Sequence, residues 1–385
     1  MTILRFRGTL LTLLLLPSLA FANTAATADS KIRVLSIAQG LEHPWGLAFL
    51  PDGHMLVTER PGRLRAINTE GKISAAISGL PAILVQGQGG LFDVLPDPDF
   101  KQNRRIYLSY AEAGLGAEAG KNGLAVLRAE LSPDLKTLRH PLVIFRQQPK
   151  VDSSGHFGGR LVLARDGRLF ITLGDRQRSS ERGKAQDLST HHGKIVLINR
   201  DGSLPADNPF VQRKNTRPEI WSYGHRNIQG AALHPDTGEL WISEHGPQGG
   251  DEINIARAGK NYGWPVVTYG CEYGTCFRIG EGKQKNGMEE PLTYWVPRSI
   301  APSGLAFYSG NDFPEWQGDL FSGALAGRAL WRLGLQGNRI VSRQALLTGL
   351  EERIRDVKMG PDGFLYLLTD SDSGRLLRVE RSLQP

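Results

Sequence analysis

The chain has 385 residues, 40% hydrophobic and 22% charged, with a formal net charge of +7. That is ordinary globular composition, with length enough for a large core. The positive charge is spread without a run of five basic residues, which excludes a nucleic-acid footprint and better suits anionic small molecules.

The first residues read as a secretory leader. Arg5 and Arg7 supply the positive end, Leu10 to Leu16 the apolar run, and Ala20-Phe21-Ala22 the cleavage pattern. The apolar run is too short to span a bilayer and Pro17 breaks it, so an uncleaved anchor is the lesser alternative. Removing residues 1–22 takes away two arginines and no acid, leaving +5 of the +7 on the mature domain, residues 23–385. The expected location is the periplasm, with no membrane span. The only cysteines, Cys271 and Cys276, are expected to form a disulfide in an exported chain; a metal pair is the competing reading.

One pattern recurs along the mature chain: an apolar strand, a turn rich in Asp, Pro and Gly, then a second apolar strand. Its copies begin at Gly46, Gly90, Gly158, Gly230, Gly304 and Val357. Six such units predict an all-β, single-domain, six-bladed β-propeller, with neighbouring blades burying each other's faces. Arg63 to Ile67 and Lys194 to Ile198 are expected as outer strands. Ile32 to Ile37 is expected to pair with the last blade and close the ring. A pair of β-sandwiches is the runner-up fold, and no long amphipathic helix is expected.

The third copy carries the clearest chemistry. His156 precedes its first strand and Asp175 follows its second, around an Asp166-Gly167 turn. An antiparallel hairpin brings its open ends together, so the two side chains are placed to act as a base and its orienting carboxylate. The bland alternative is a loop histidine and a turn-capping aspartate. Gln88, Arg226 with Asn227, and Arg353 with Arg355 stand at the corresponding place in other copies. Equivalent positions ring one end of a propeller's axis, so these residues are expected to converge on a funnel. Arginines there suit a ligand with several carboxylates. The segment Glu244 to Asn254 combines a Gly-Pro turn with acidic oxygens. It fits calcium as well as it fits a turn held by side-chain hydrogen bonds.

These segments, with Asn261-Tyr262-Gly263-Trp264-Pro265, resemble the soluble quinoprotein glucose and aldose sugar dehydrogenases, and the aldose sugar branch most closely. The resemblance covers nearly all of the mature chain. It implies an exported six-bladed propeller that uses pyrroloquinoline quinone (PQQ) and Ca2+ to oxidise aldoses to lactones. It implies His156 as catalytic base, Asp175 as its support, and Arg226 as the group stabilising developing charge. Gln88, Arg226, Asn227, Tyr273, Arg353 and Arg355 match cofactor contacts. The carbonyls of Gly246 and Pro247 match ligands of the cofactor's calcium, and Glu252 with the Tyr262 carbonyl matches a second calcium. Two departures stand out. Gly155 occupies the place where the glucose dehydrogenase branch has an acid. The family's cofactor-binding lysine falls near Ala326, with Arg328 as the nearby substitute. The expected partners are a small aldose and an electron acceptor that the residues do not specify. The rival functions are a calcium-dependent lactonase or esterase on a six-bladed propeller, and a non-catalytic binding propeller.

Overall fold

The computed structural model describes residues 31–382; the expected leader, residues 1–22, lies outside the described residues. Six small antiparallel sheets follow one another along the chain. Their innermost strands are Pro44–Phe49, Leu91–Pro96, Gly158–Leu163, Ile228–Leu233, Pro302–Phe307 and Ile354–Met359, and each starts one of blades 1 to 6. Each innermost strand packs against the next, and blade 6 packs back on blade 1, so the ring closes. This is the six-bladed propeller the repeats predict. Blade 1 has three strands and the others four.

Ile32–Leu41 pairs antiparallel with Gly374–Arg381, from Ile32 opposite Arg381 to Leu41 opposite Gly374. The first described strand thus becomes the outermost strand of blade 6, as expected. Arg63–Ile67 and Lys194–Ile198 form the third strands of blades 1 and 3. The longest α-helices among the described residues, Phe100–Asn103 and Ser179–Arg182, have four residues each.

The core lies between blades. Leu56 and Leu64 of blade 1 meet Val94 and Leu108 of blade 2. Ile195 of blade 3 meets Ile242 of blade 4. Leu47 of blade 1 meets Leu368 of blade 6. A sheet with two apolar faces and only a few dozen residues cannot bury both alone, which is why the repeat must close on itself.

Each innermost hairpin has a register irregularity near its open end. Such bulges bend the strand and re-aim side chains. A buried hydroxyl on the second strand satisfies the displaced amide in three blades. Thr58 accepts from the Gly46 N–H, Ser109 from Asp93 and Thr172 from Arg160, at 2.9–3.0 Å. Ser109 also donates to the Gly159 carbonyl of the next blade.

Arg160 fills the middle of the ring. It belongs to blade 3, yet it pairs with Asp356 of blade 6 at 2.9 Å and Asp93 of blade 2 at 3.4 Å. Its Nε donates to the Gln229 carbonyl of blade 4 at 2.7 Å. Only a side chain near the axis can reach three other blades, and at 1% exposure it is sealed from solvent.

Candidate active site

A cavity of about 560 Å3 opens where the innermost strands begin. All six blades contribute a residue just before or at the start of that strand: His43, Gln88, Phe157, Asn227, Ala301 and Arg353. Arg355 lies deeper, 9% exposed, and donates to Gln229 Oε1 at 3.0 Å. Of the residues expected to converge, Gln88, Asn227, Arg353 and Arg355 line the cavity, whereas His156 and Arg226 are not among its lining residues.

His156 sits beside this wall, and its backbone N–H donates to Gln88 Oε1 at 2.9 Å. Its ring Nδ1 lies 2.6 Å from Asp175 Oδ1. Asp175 also accepts from the Gln177 N–H at 2.8 Å and from Trp264 Nε1–H at 2.7 Å. Burial pushes the Asp175 carboxyl up, but His156, Arg226 and these donors outweigh it, so the group stays ionised. An ionised Asp175 accepts from Nδ1–H, which leaves Nε2 of a neutral imidazole as the free lone pair. Burial first, then Arg226, holds His156 below its ordinary value, against the pull of Asp175. His156 also has φ of +46°, unusual for a non-glycine residue and characteristic of over-determined functional positions.

Arg226 takes a different posture from the expected one. Its guanidinium turns to the carbonyls of His245 and Gly246 and lies 5.2 Å from the Trp264 ring. Its Nε is buried without a partner. The Gly246 carbonyl, expected as a calcium ligand, thus already faces a cation.

Two expected cofactor contacts stand apart from the cavity. Tyr273 is 63% exposed on the loop closed by the Cys271–Cys276 disulfide. Ala326 and Arg328 are exposed in the turn after Leu320–Ala324, and it is Leu325 that lines the cavity. At Gly155, a β-carbon would stand 1.7 Å from Gln177 Oε1. The Gln177 side chain occupies the space that an acid at position 155 would need.

The residues that sequence reasoning missed follow a rule it had used only once. Asp175 follows the second strand of blade 3; Arg60, His245 and Asp370 follow the second strands of blades 1, 4 and 6, and all three line the cavity. Asp370 pairs with Arg353 at 3.1 Å, Arg355 at 3.3 Å and His43 at 2.9 Å. Burial opposes its charge, but Arg355, His43 and Arg353 hold its carboxyl well below the usual range. His245 donates from Nε2 to the Pro302 carbonyl at 2.8 Å. Burial, then Arg355 and Arg226, push it down to about 3, so it is neutral.

The donor set for a metal is uneven. Among the described residues no group of three or more His, Cys, Asp or Glu side chains is arranged to hold a metal ion. Glu252, however, stands directly opposite Glu244 on paired strands. Burial and that neighbouring carboxylate push it up to about 8. Beside it Asn254 donates to Glu252 and leaves its own Oδ1 buried and unpartnered. A buried carboxylate beside an unpartnered amide oxygen is a hard-oxygen set of the kind calcium takes. Tyr262, expected to contribute its carbonyl, packs its ring on His225 at 4.6 Å.

Comparison with known proteins bears on this arrangement directly. Residues 41–378 match the family model described as glucose / sorbosone dehydrogenase. An aldose sugar dehydrogenase of Escherichia coli is 46% identical over 368 residues, covering 95% of this chain and 97% of that protein. Quinoprotein glucose dehydrogenase B of Acinetobacter calcoaceticus is 31% identical over 91% of this chain and 90% of its own. The solved PQQ-bound form of an aldose sugar dehydrogenase from Streptomyces coelicolor superposes with a TM-score of 0.75 at 29% identity, covering 92% of this chain and 99% of that one. By fold, by sequence across nearly its whole length, and by the family model, the chain belongs to the glucose/sorbosone dehydrogenase family.

Proposed function

We propose that the protein is a periplasmic PQQ-dependent aldose dehydrogenase that converts the anomeric C–OH of a sugar to a lactone. The observation that carries this reading is the His156–Asp175 pair, tied by the His156 backbone N–H to Gln88 in the wall of a cavity that Asn227, Arg353 and Arg355 also line. The arginines suit a polycarboxylate cofactor, since guanidinium binds carboxylate through charge-assisted hydrogen bonds. Neither a lactonase nor a binding propeller accounts for a neutral histidine locked by a buried carboxylate at that wall.

Bound PQQ supplies the two-electron acceptor for the hydride that leaves the anomeric carbon, and calcium supplies Lewis acidity. The chain's own residues do the rest. Nε2 of His156 takes the proton from the anomeric hydroxyl. Asp175 holds the ring orientation and stabilises the imidazolium that forms. Arg226 stabilises negative charge as it develops, once its hold on the His245 and Gly246 carbonyls is shared with the ligand. Gln88, Asn227, Arg353 and Arg355 hold the cofactor. Gly246 and Pro247 carbonyls would hold its calcium, and Glu252, with Asn254 and the Tyr262 carbonyl, a second one. The leader at residues 1–22 and the joined cysteines support export. Among the described residues no helix is long and apolar enough to cross a membrane.

The test is titration of purified apoprotein with PQQ, with and without Ca2+, followed by dye reduction with aldoses. Saturable PQQ binding that Ca2+ strengthens, then sugar-dependent turnover, is expected. Absence of PQQ binding in the presence of Ca2+ would sink the proposal.

A further inference from the structure

The cavity's charges do not balance, and the one arginine of its lining without a carboxylate contact belongs to blade 1. Its lining includes three arginines: Arg60, Arg353 and Arg355. Arg353 and Arg355 share the carboxylate of Asp370. The other acid at the wall, Asp372, is paired with His43 at 2.8 Å. Arg60 has no ion pair among the described residues. Its only side-chain hydrogen bond runs from Nη1 to the Gly87 carbonyl at 2.8 Å.

Arg60 is nevertheless seated by specific backbone. The amide of Leu91 donates to its carbonyl at 3.1 Å. Gly90, at φ of +155°, passes so close that a β-carbon there would stand 2.0 Å from the Arg60 carbonyl oxygen and 2.7 Å from its Cγ. Gly87, whose carbonyl anchors the guanidinium, has φ of +58° and packs on Ser154. The Gly87-Gln88-Gly89-Gly90 turn thus presents Gln88 to the cavity and also fixes beside it a cation that no carboxylate contacts.

An arginine held at one nitrogen, next to a cavity, with its remaining donors unclaimed by any carboxylate, is arranged to receive one from a ligand. We infer that Arg60 binds a carboxylate of the cofactor from blade 1, where, unlike Arg353 and Arg355 of blade 6, it has no carboxylate partner of its own. It thereby fills the role the sequence had assigned to the segment around Ala326 and Arg328, both of which the fold leaves exposed. This inference rests on the PQQ reading above.

The experiment measures PQQ affinity of apoprotein, with Ca2+ present, by calorimetry for wild type, Arg60→Ala, Arg60→Lys and Arg328→Ala. Arg60→Ala is expected to weaken binding about 10- to 100-fold, the loss of one charge-assisted hydrogen-bonded contact. Arg60→Lys should recover part of it, and Arg328→Ala should match wild type. Wild-type affinity in Arg60→Ala, or a loss confined to Arg328→Ala, overturns the inference while leaving the PQQ reading intact. Failure of wild type to bind PQQ removes both. A second arm compares kcat/KM for a neutral aldose and for a uronic acid. If Arg60→Ala keeps PQQ affinity but loses only the uronic acid, the carboxylate belongs to substrate and the cofactor assignment falls.

Discussion

The open ends of the blade 3 and blade 6 hairpins are built alike and equipped differently. Both place an aspartate just beyond the second strand, Asp175 and Asp370, against residues that precede or begin the first. In blade 3 the aspartate meets one imidazole and orients it, while burial and Arg226 keep that imidazole neutral against the aspartate's pull. In blade 6 it meets two guanidiniums and a second imidazole, and is itself held ionised. In the proposed function, the same backbone geometry serves proton transfer at one point of the ring and charge-matched binding at another. What differs is the number of permanent cations facing the carboxylate.

The sharpest way to break this division is His156→Ala. The proposed role predicts a loss of roughly 10²–10⁴-fold in single-turnover oxidation of an aldose by PQQ-loaded protein. PQQ affinity should change far less. A near-normal rate at full loading would remove the base assignment. The pH profile sharpens the same point. A neutral base is required and His156 lies below its ordinary 6.5, so the rate should be flat through neutral pH and fall only in the acid range. Asp175→Asn removes the one carboxylate that raises His156, so it should slow the same step and move the acid limb lower still.

Blade 6 predicts the opposite signature. Arg355→Ala should weaken PQQ binding about 10- to 100-fold, with the rate of fully loaded enzyme nearly kept. A variant that binds normally but turns over slowly would erase the contrast between the two blades.

Asp370→Asn gives the smallest effect, and it is one of stability. The folded carboxyl titrates below its unfolded value of about 3.9, so it stabilises the fold above that pH and ceases to as the pH falls through the folded pKa. Urea unfolding should show a loss of about 2 kcal/mol at pH 7, shrinking towards pH 3. Equal losses at both pH values would count against an ionic role.

Much of this was legible from the repeat. Counting strand-turn-strand units gave the blade number and the innermost strands, and the closing strand followed from the need to cover an edge. Asp175 was found by reasoning about a hairpin's open end. The same reasoning applied to every copy reaches Arg60, His245 and Asp370, so their absence from the sequence reading was a failure to extend a rule. Trp264 is another matter. It reaches Asp175 from the long segment between Asp251–Ala256 and Thr293–Trp295, whose path no repeat specifies. The rotation of Arg226 onto the carbonyls of His245 and Gly246 was equally hidden, because it depends on which backbone oxygens a turn leaves free.

The pairing of Ile32–Leu41 with Gly374–Arg381 also sets an order of events. A chain emerging from its amino end presents its closing strand first and must wait for nearly its whole length before that strand finds its partner. Contacts so distant in sequence make for slow folding. Blade 6, which carries Arg353 and Arg355, lacks its outer edge until then, so five blades can assemble before the cavity is complete. The first and last described strands act as a clasp. A truncation that removes the final strand, Gly374–Arg381, would open the ring at the blade that carries Arg353 and Arg355.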